Sequence, residues 1–175
     1  MVLRAARVLI EARPGAGKTT AAVRLAERLH EAGLPVAGFV TEEIREGRTR
    51  VGFRVESFAG DRGVLAHISL SGPPRVGKYG VDLDAFERVA LPSLEPPAGG
   101  ATVIDELGKM ELASARFRDA VSRLFAADVP IVATVHTFRH PFTDELKRRA
   151  DVELIRVSKA NRDGLPDALA ERLVG

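Results

Sequence analysis

The 175-residue chain has no cysteine and no tryptophan, only one tyrosine and two methionines. Without cysteine there are no disulfides, no thiolate metal site and no cysteine nucleophile, although the compartment is not decided by that alone. Aromatic residues make up 5% of the chain, and none interleave with basic residues in the pattern that grips single-stranded nucleic acid. A dominant charge is missing too. Lys and Arg number 26 against 24 Asp and Glu, for a net charge of +2, which is no footprint for a polyanion. No run approaches the roughly 18 apolar residues that cross a bilayer. Neither a membrane nor a nucleic-acid partner is expected, and the cytosol is the expected compartment.

What is present is ordinary globular material: 45% hydrophobic and 29% charged residues. The length suits one domain with a sizeable core, expected over residues 1–175 as a monomer. No internal repeat, low-complexity tract or linker interrupts it. Residues 7–12 form a buried-type apolar run, so the N-terminal segment reads as a strand and not a signal peptide. Residues 19–32 have helical spacing through Ala22, Leu25, Ala26 and Leu29, with Gly33 as the stop. Residues 36–41 predict a strand. Residues 42–68 alternate apolar and polar (Val51, Phe53, Val55) and break at Glu46-Gly47 and Gly60-Asp61, which predicts hairpins.

Residues 71–80 read as a loop, and Asp82 opens a helix that runs up to Pro92. Strands are expected at 101–104, 130–135 and 152–157, and helices at 113–127, 143–150 and 163–174. This order predicts an α/β fold: a mainly parallel sheet, helices on both faces, and a β-hairpin insertion.

Residues 12–19 read Ala-Arg-Pro-Gly-Ala-Gly-Lys-Thr, close to the phosphate-loop pattern G-x-x-x-x-G-K-[ST]. Successive backbone N–H groups wrap a phosphate, and Gly15 and Gly17 permit backbone conformations that a side chain would block. The helix that follows presents its positive end to the same anion. Lys18 reaches the β- and γ-phosphates, and the Thr19 hydroxyl ligates magnesium. The pattern departs at its first position, where Ala12 stands for glycine at the strand-to-loop turn.

Residues 101–106 form an apolar strand that ends in Asp105 and Glu106, a Walker B arrangement. Asp105 is the magnesium-side carboxylate, and Glu106 is placed to polarise an attacking water as general base. The competing account is an acidic cap on the next helix. A second carboxylate tilts the chemistry toward hydrolysis, since a kinase keeps water away from the γ-phosphate. Lys109 follows at once, either as a cis charge on the γ-phosphate or as a solvated lysine.

Five segments carry a wider resemblance: P-G-A-G-K-T-T, G-F-V-T-E-E-I-R from Gly38, R-V-G-F from Arg50, G-K-Y-G-V from Gly77, and I-D-E-L-G-K-M-E-L from Ile104. Together they resemble the small nucleoside-triphosphatase family typified by a thermophile enzyme and the cancer-related nucleoside-triphosphatase. The resemblance implies a three-layer, RecA-like P-loop NTPase fold and Mg2+-dependent hydrolysis of ATP, GTP, CTP and UTP, with little base selectivity. It implies nucleotide contacts from Ala12, Arg13, Pro14, Gly15, Ala16, Gly17, Lys18, Thr19 and Thr20. A second group comprises Val103, Ile104, Asp105, Glu106, Gly108 and Lys109. Lys18, Glu106 and Lys109 are the expected catalytic groups, and Thr19 and Asp105 the expected metal ligands.

Weaker features have two accounts each. Asn161 and Arg162 follow the last strand, where a base commonly rests, yet Asn161 or Asp163 equally caps the next helix. Arg45 either touches phosphate or belongs to a solvated cluster with Glu42, Glu43 and Glu46. Tyr79 stacks on a base or fills the core. Thr134 and His136 sense the γ-phosphate or cap the strand. Lys147-Arg148-Arg149 reads as a solvated helix face. His136 and His140 lack a zinc pattern. Two other function classes compete with the hydrolase: a nucleoside or small-molecule kinase, and a nucleotide-dependent module that binds RNA or protein.

Overall fold

The central, continuously apolar strands pair in parallel, and the alternating segment pairs antiparallel. The structure, a computed structural model, describes residues 6–175. In chain order the first elements are β1 (Arg7–Glu11), α1 (Lys18–Glu31), β2 (Val36–Glu46), β3 (Thr49–Ser57), β4 (Arg62–His67), β5 (Arg75–Val76) and β6 (Tyr79–Val81). They are followed by α2 (Leu83–Ser93), β7 (Ala101–Leu107), a 3₁₀ turn at Glu111–Ala113, α3 (Ala115–Ala126), β8 (Ile131–Val135), α4 (Pro141–Arg148), β9 (Glu153–Arg156) and α5 (Leu165–Val174).

The nine strands of the described residues join one sheet in the order β5-β6-β4-β3-β2-β7-β8-β1-β9. The expectation of a mainly parallel sheet is corrected. The pairings of β2 with β7, β7 with β8, β8 with β1 and β1 with β9 are parallel. Those among β2, β3, β4, β6 and β5 are antiparallel. The sheet is therefore evenly mixed. Its cause is the tight turn at Gly47, whose φ of +60° returns the chain directly beside β2 and leaves no crossover that would make the next strand parallel. Strand β2 also runs past Thr41 to Glu46, and β5 and β6 occupy part of the expected loop at 71–80.

Helices cover both faces. On one, Leu25 and Leu29 of α1 and Leu165, Leu169 and Leu173 of α5 pack over Val8, Ile10, Val103 and Val132. On the other, Phe86 of α2 and Phe117 of α3 meet Phe39 of β2, with ring centroids 5.1–5.8 Å apart. Edge-to-face aromatic contacts of this kind contribute about 0.5–1.5 kcal/mol beyond area burial. Gly38 sits where β2 crosses close to β7: a Cβ there would lie 1.8 Å from the carbonyl oxygen of Val103, and its φ is +108°. Glycine is needed there for the strands to approach. No helix among the described residues is long and apolar enough to cross a membrane.

Candidate active site

The parallel strands deliver their C-terminal ends to one edge, the place where α/β folds hold ligands. From β1 the chain turns through Ala12, which is buried and donates its N–H to the Val135 carbonyl at 3.3 Å. Ala16 N–H closes back on the Arg13 carbonyl at 3.2 Å, and Gly15 and Gly17 take φ values of +77° and +94°. Helix α1 then begins with no side-chain cap and no acidic residue in its first turn. Its first N–H groups are left for an anion.

At the end of β7 the ladder with β8 is interrupted between Ile104 and Leu107, and Asp105 and Glu106 fall in this irregularity. Asp105 is fully buried. Its Oδ1 accepts a 2.7 Å hydrogen bond from the Thr134 hydroxyl, while its buried Oδ2 makes no hydrogen bond of normal geometry among the described residues. The Thr19 hydroxyl and the Thr41 amide lie near the carboxylate without closing one. Burial pushes its pKa up to about 6, with the Glu106 charge adding to the rise. Thr134, the Thr19 hydroxyl and the Thr41 amide offset part of it.

An orphaned carboxylate oxygen beside a threonine hydroxyl is a pair of hard oxygen donors, the set that suits magnesium. Among the described residues no cluster of three or more His, Cys, Asp or Glu side chains is placed to hold a metal. A cation here would draw its other ligands from phosphate and water, as magnesium does.

Glu106 reaches the cleft instead. Its Oε1 lies 2.6 Å from Nε2 of His136 and its Oε2 3.6 Å from Nζ of Lys18. Lys18 is buried. Its ammonium donates to the Ala12 carbonyl at 3.1 Å and to Nδ1 of His136 at 3.0 Å. Glu111 is buried nearby, and its Oε2 accepts from the Gly108 amide at 3.1 Å. Burial first, and then the charge of Glu106, holds the Glu111 carboxyl well above the usual carboxylate range. Gly108 is wedged between the two acids: a Cβ on it would fall 2.7 Å from Glu111 Oε2 and 2.9 Å from Glu106 Oε1.

These groups open into a cleft of about 990 Å³. One wall is the phosphate loop with Pro14, Gly15, Gly17, Lys18, Thr19 and Thr20, and another carries Glu106, Lys109, Met110 and Glu111. The far wall comes from the antiparallel half of the sheet, with Thr41, Glu42, Glu43, Arg45, Arg50, Phe53 and Val76; His136 and Phe138 complete the lining. A smaller hollow of about 240 Å³ shares Gly15, Gly17 and Thr20 with the cleft and adds Ala16, Ala21, Arg24, Arg162, Asp163 and Pro166.

The expected site residues thus divide by place. Those on the two cavities are Pro14, Gly15, Ala16, Gly17, Lys18, Thr19, Thr20, Glu106, Lys109 and Arg162. Ala12, Asp105 and Gly108 sit just beneath the surface, joined to it by the bonds above. Val103 and Ile104 are core side chains in β7, and Arg13 is exposed and lines neither cavity. Asn161 is spent on its own loop, its amide donating to the Arg156 carbonyl at 2.9 Å and its oxygen accepting from Ser158 N–H at 2.8 Å. Lys109 is exposed, with its ammonium 4.9 Å from the centre of the Phe138 ring.

The structure decides between the accounts of Tyr79 and corrects the reading of Lys147 and Arg149 as solvated. Tyr79 is a core aromatic whose hydroxyl accepts a 2.9 Å bond from Arg50. Lys147 is not solvated: it pairs with Glu11 at 2.6 Å and donates to the His136 carbonyl at 2.8 Å. Burial works to raise the Glu11 carboxyl, but Lys147 and Arg156 outweigh it and hold the group below its ordinary range. Arg149 donates to the Phe125 carbonyl at 2.9 Å. The site role of Glu111 escaped the sequence reading. Its one signal was an acid set between Met110 and Leu112.

A family model described as NTPase matches residues 7–170. A nucleoside-triphosphatase THEP1 from Thermotoga maritima is 40% identical over 161 residues, covering 91% of this chain and 90% of the relative. The cancer-related nucleoside-triphosphatase of Homo sapiens is 40% identical over 181 residues, covering 93% and 94%. Among solved structures, the crystal structure of THEP1 from Aquifex aeolicus superposes with a TM-score of 0.86 at 34% identity, over 95% of this chain and 98% of that one.

Proposed function

The chain belongs to this NTPase family, and on that premise we propose that it hydrolyses nucleoside 5'-triphosphates to the diphosphate and phosphate, with magnesium and little base selectivity. One observation carries the reading. The Glu106 carboxylate stands at the cleft surface 3.6 Å from the ammonium of the phosphate-loop lysine, where a base meets the terminal phosphate.

The loop amides and Lys18 hold the β- and γ-phosphates and neutralise charge that develops on them. Glu106 orients a water and takes its proton as the new O–P bond forms and the β–γ bridging bond breaks. The diphosphate then leaves and the proton passes to solvent. Thr19 and the free Oδ2 of Asp105 are the residues to hold magnesium, which when bound would spread the negative charge of both phosphates. Lys109 adds a positive charge to the same cleft. The hollow beside Arg24 and Arg162 adjoins the phosphate loop and is the place we assign to the base. A single RecA-like, three-layer domain is the finer fold assignment, supported by the order β2-β7-β8-β1-β9 with helices on both faces.

The test is phosphate release from ATP, GTP, CTP and UTP, comparing wild type with Glu106→Gln. Release from all four by wild type, with a 10²- to 10⁴-fold loss in a variant that still binds nucleotide, is the expected result. The cleft itself favours a second reading. Its wall of Arg50, Phe53 and Val76 lies apart from the nucleotide motifs, as an acceptor pocket would. Diphosphate formed only when a nucleoside acceptor is added, without free phosphate, would replace hydrolysis with phosphoryl transfer.

A further inference from the structure

Among the described residues His136 is the one side chain hydrogen-bonded to both Lys18 and Glu106. A lysine ammonium has only donors, so Nδ1 of His136 must accept at 3.0 Å. The ring proton therefore sits on Nε2 and is donated to Glu106 Oε1 at 2.6 Å. The ring is steadied by Phe138, 5.1 Å away between centroids at an interplanar angle of 35°. Its backbone carbonyl is held by Lys147, which is itself paired with Glu11 at the end of β1. The imidazole is fixed from the strand that leads into the phosphate loop and from the helix after β8.

We infer that His136 is a positioning residue for the reaction: it occupies Oε1 of Glu106 and so leaves Oε2, which lies 3.6 Å from the Lys18 ammonium, as the oxygen that takes the water once Lys18 turns to phosphate. This rests on the hydrolysis reading above. A carboxylate with a free torsion would sample many orientations, and one held through one oxygen presents the other in a single direction. The same bond keeps Glu106 from closing fully onto Lys18, which must be released to meet phosphate. The same ring accepts from Lys18, a bond the lysine gives up on meeting phosphate, so loss of His136 should lower turnover while affinity stays close to that of wild type.

The experiment measures kcat for phosphate release and nucleotide Kd in wild type, His136→Ala, His136→Gln, Glu106→Gln and the double variant His136→Ala/Glu106→Gln. A well-placed general base contributes about 10²- to 10⁴-fold and a misoriented one keeps part of it, so His136→Ala should lose about 10- to 100-fold in kcat with Kd within about threefold. His136→Gln, whose amide can accept from Lys18 and donate to Glu106, should recover part of the loss. A residue that acts through Glu106 adds nothing once Glu106 is gone, so the double variant should be no slower than Glu106→Gln.

Losses that multiply in the double variant, or a loss confined to Kd, overturn the inference. So does His136→Ala as fast as wild type. If the alanine variant does not fold by circular dichroism, His136→Asn against His136→Gln makes the same comparison, since the shorter amide cannot span both partners. A wild type that releases no phosphate at all overturns the hydrolysis reading first, a result distinct from an active wild type indifferent to His136.

Discussion

The Thr134 hydroxyl donates a 2.7 Å hydrogen bond to Oδ1 of Asp105, and the second oxygen of that buried carboxylate has no partner among the described residues. One strand-end threonine thus engages one carboxylate oxygen and leaves the other unengaged. Both residues come from neighbouring strands, β7 and β8, and meet only because those strands pair.

Asp105→Asn should stabilise the ligand-free protein at high pH. Burial raises the folded carboxyl to about 6 from the ordinary 3.8. Between these values the folded state holds a proton that the unfolded state has released. The contribution to stability is full below about pH 4 and is lost as pH rises through 6. At about 1.4 kcal/mol per pH unit the loss is roughly 3 kcal/mol. Urea unfolding at pH 5 and pH 8 should show the asparagine variant gaining over wild type at pH 8, and added magnesium with nucleotide should raise the midpoint of wild type more than that of the variant. A variant weaker than wild type at pH 8 without ligand would contradict the cost assigned to the buried charge.

Glu111→Gln should remove another pH slope. The folded carboxyl titrates well above its ordinary range because of burial and the Glu106 charge, so folded protein again binds the extra proton. Stability from this group is present at low pH and declines as pH rises toward the folded value. Glutamine is the neutral isostere and keeps an acceptor for the Gly108 amide. Unfolding free energies within about 1 kcal/mol of wild type at pH 5, with an advantage at pH 8, are expected. Glu111→Ala strands the Gly108 N–H and should cost about 1–3 kcal/mol at either pH.

Gly108→Ala should separate binding from turnover. The added methyl lies within 3 Å of both Glu106 Oε1 and Glu111 Oε2, and the half-exposed Glu106 is the acid with room to yield. A displacement near 1 Å in a catalytic group can cost about 10²-fold. Phosphate release should fall by about tenfold or more while nucleotide Kd stays within about threefold. Unchanged turnover would mean that the Glu106 position in this structure is not the working one.

Much of this site was legible before any coordinates. The phosphate loop could be read because its chemistry is local: Gly15, Gly17, Lys18 and Thr19 act on one anion within one turn of chain, so their spacing is the mechanism. Asp105 and Glu106 at the end of an apolar strand were readable for the same reason. The helices α1, α3 and α5 followed from periodicity, with ends displaced by one or two residues where Ser114 and Pro166 set the first turn. The balance of parallel and antiparallel pairing was not legible. Alternating segments predict hairpins without saying whether they extend the main sheet or stand apart from it.

By itself, then, the sequence determined the parts whose physics is carried by near neighbours: an anion-binding turn, an acidic strand end, amphipathic helices and hairpin turns. Only the tertiary structure decided which distant residues share a dielectric environment. Lys18 and His136 are 118 positions apart, and Asp105 and Thr134 are 29 apart. Their hydrogen bonds, the upward shift of the Glu111 carboxyl beside Glu106 and the cleft wall from Arg50 and Phe53 exist because β8 lies between β1 and β7 and because β3 folds back on β2. Burial and long-range pairing depend on where the whole chain packs, and no window of sequence contains that information.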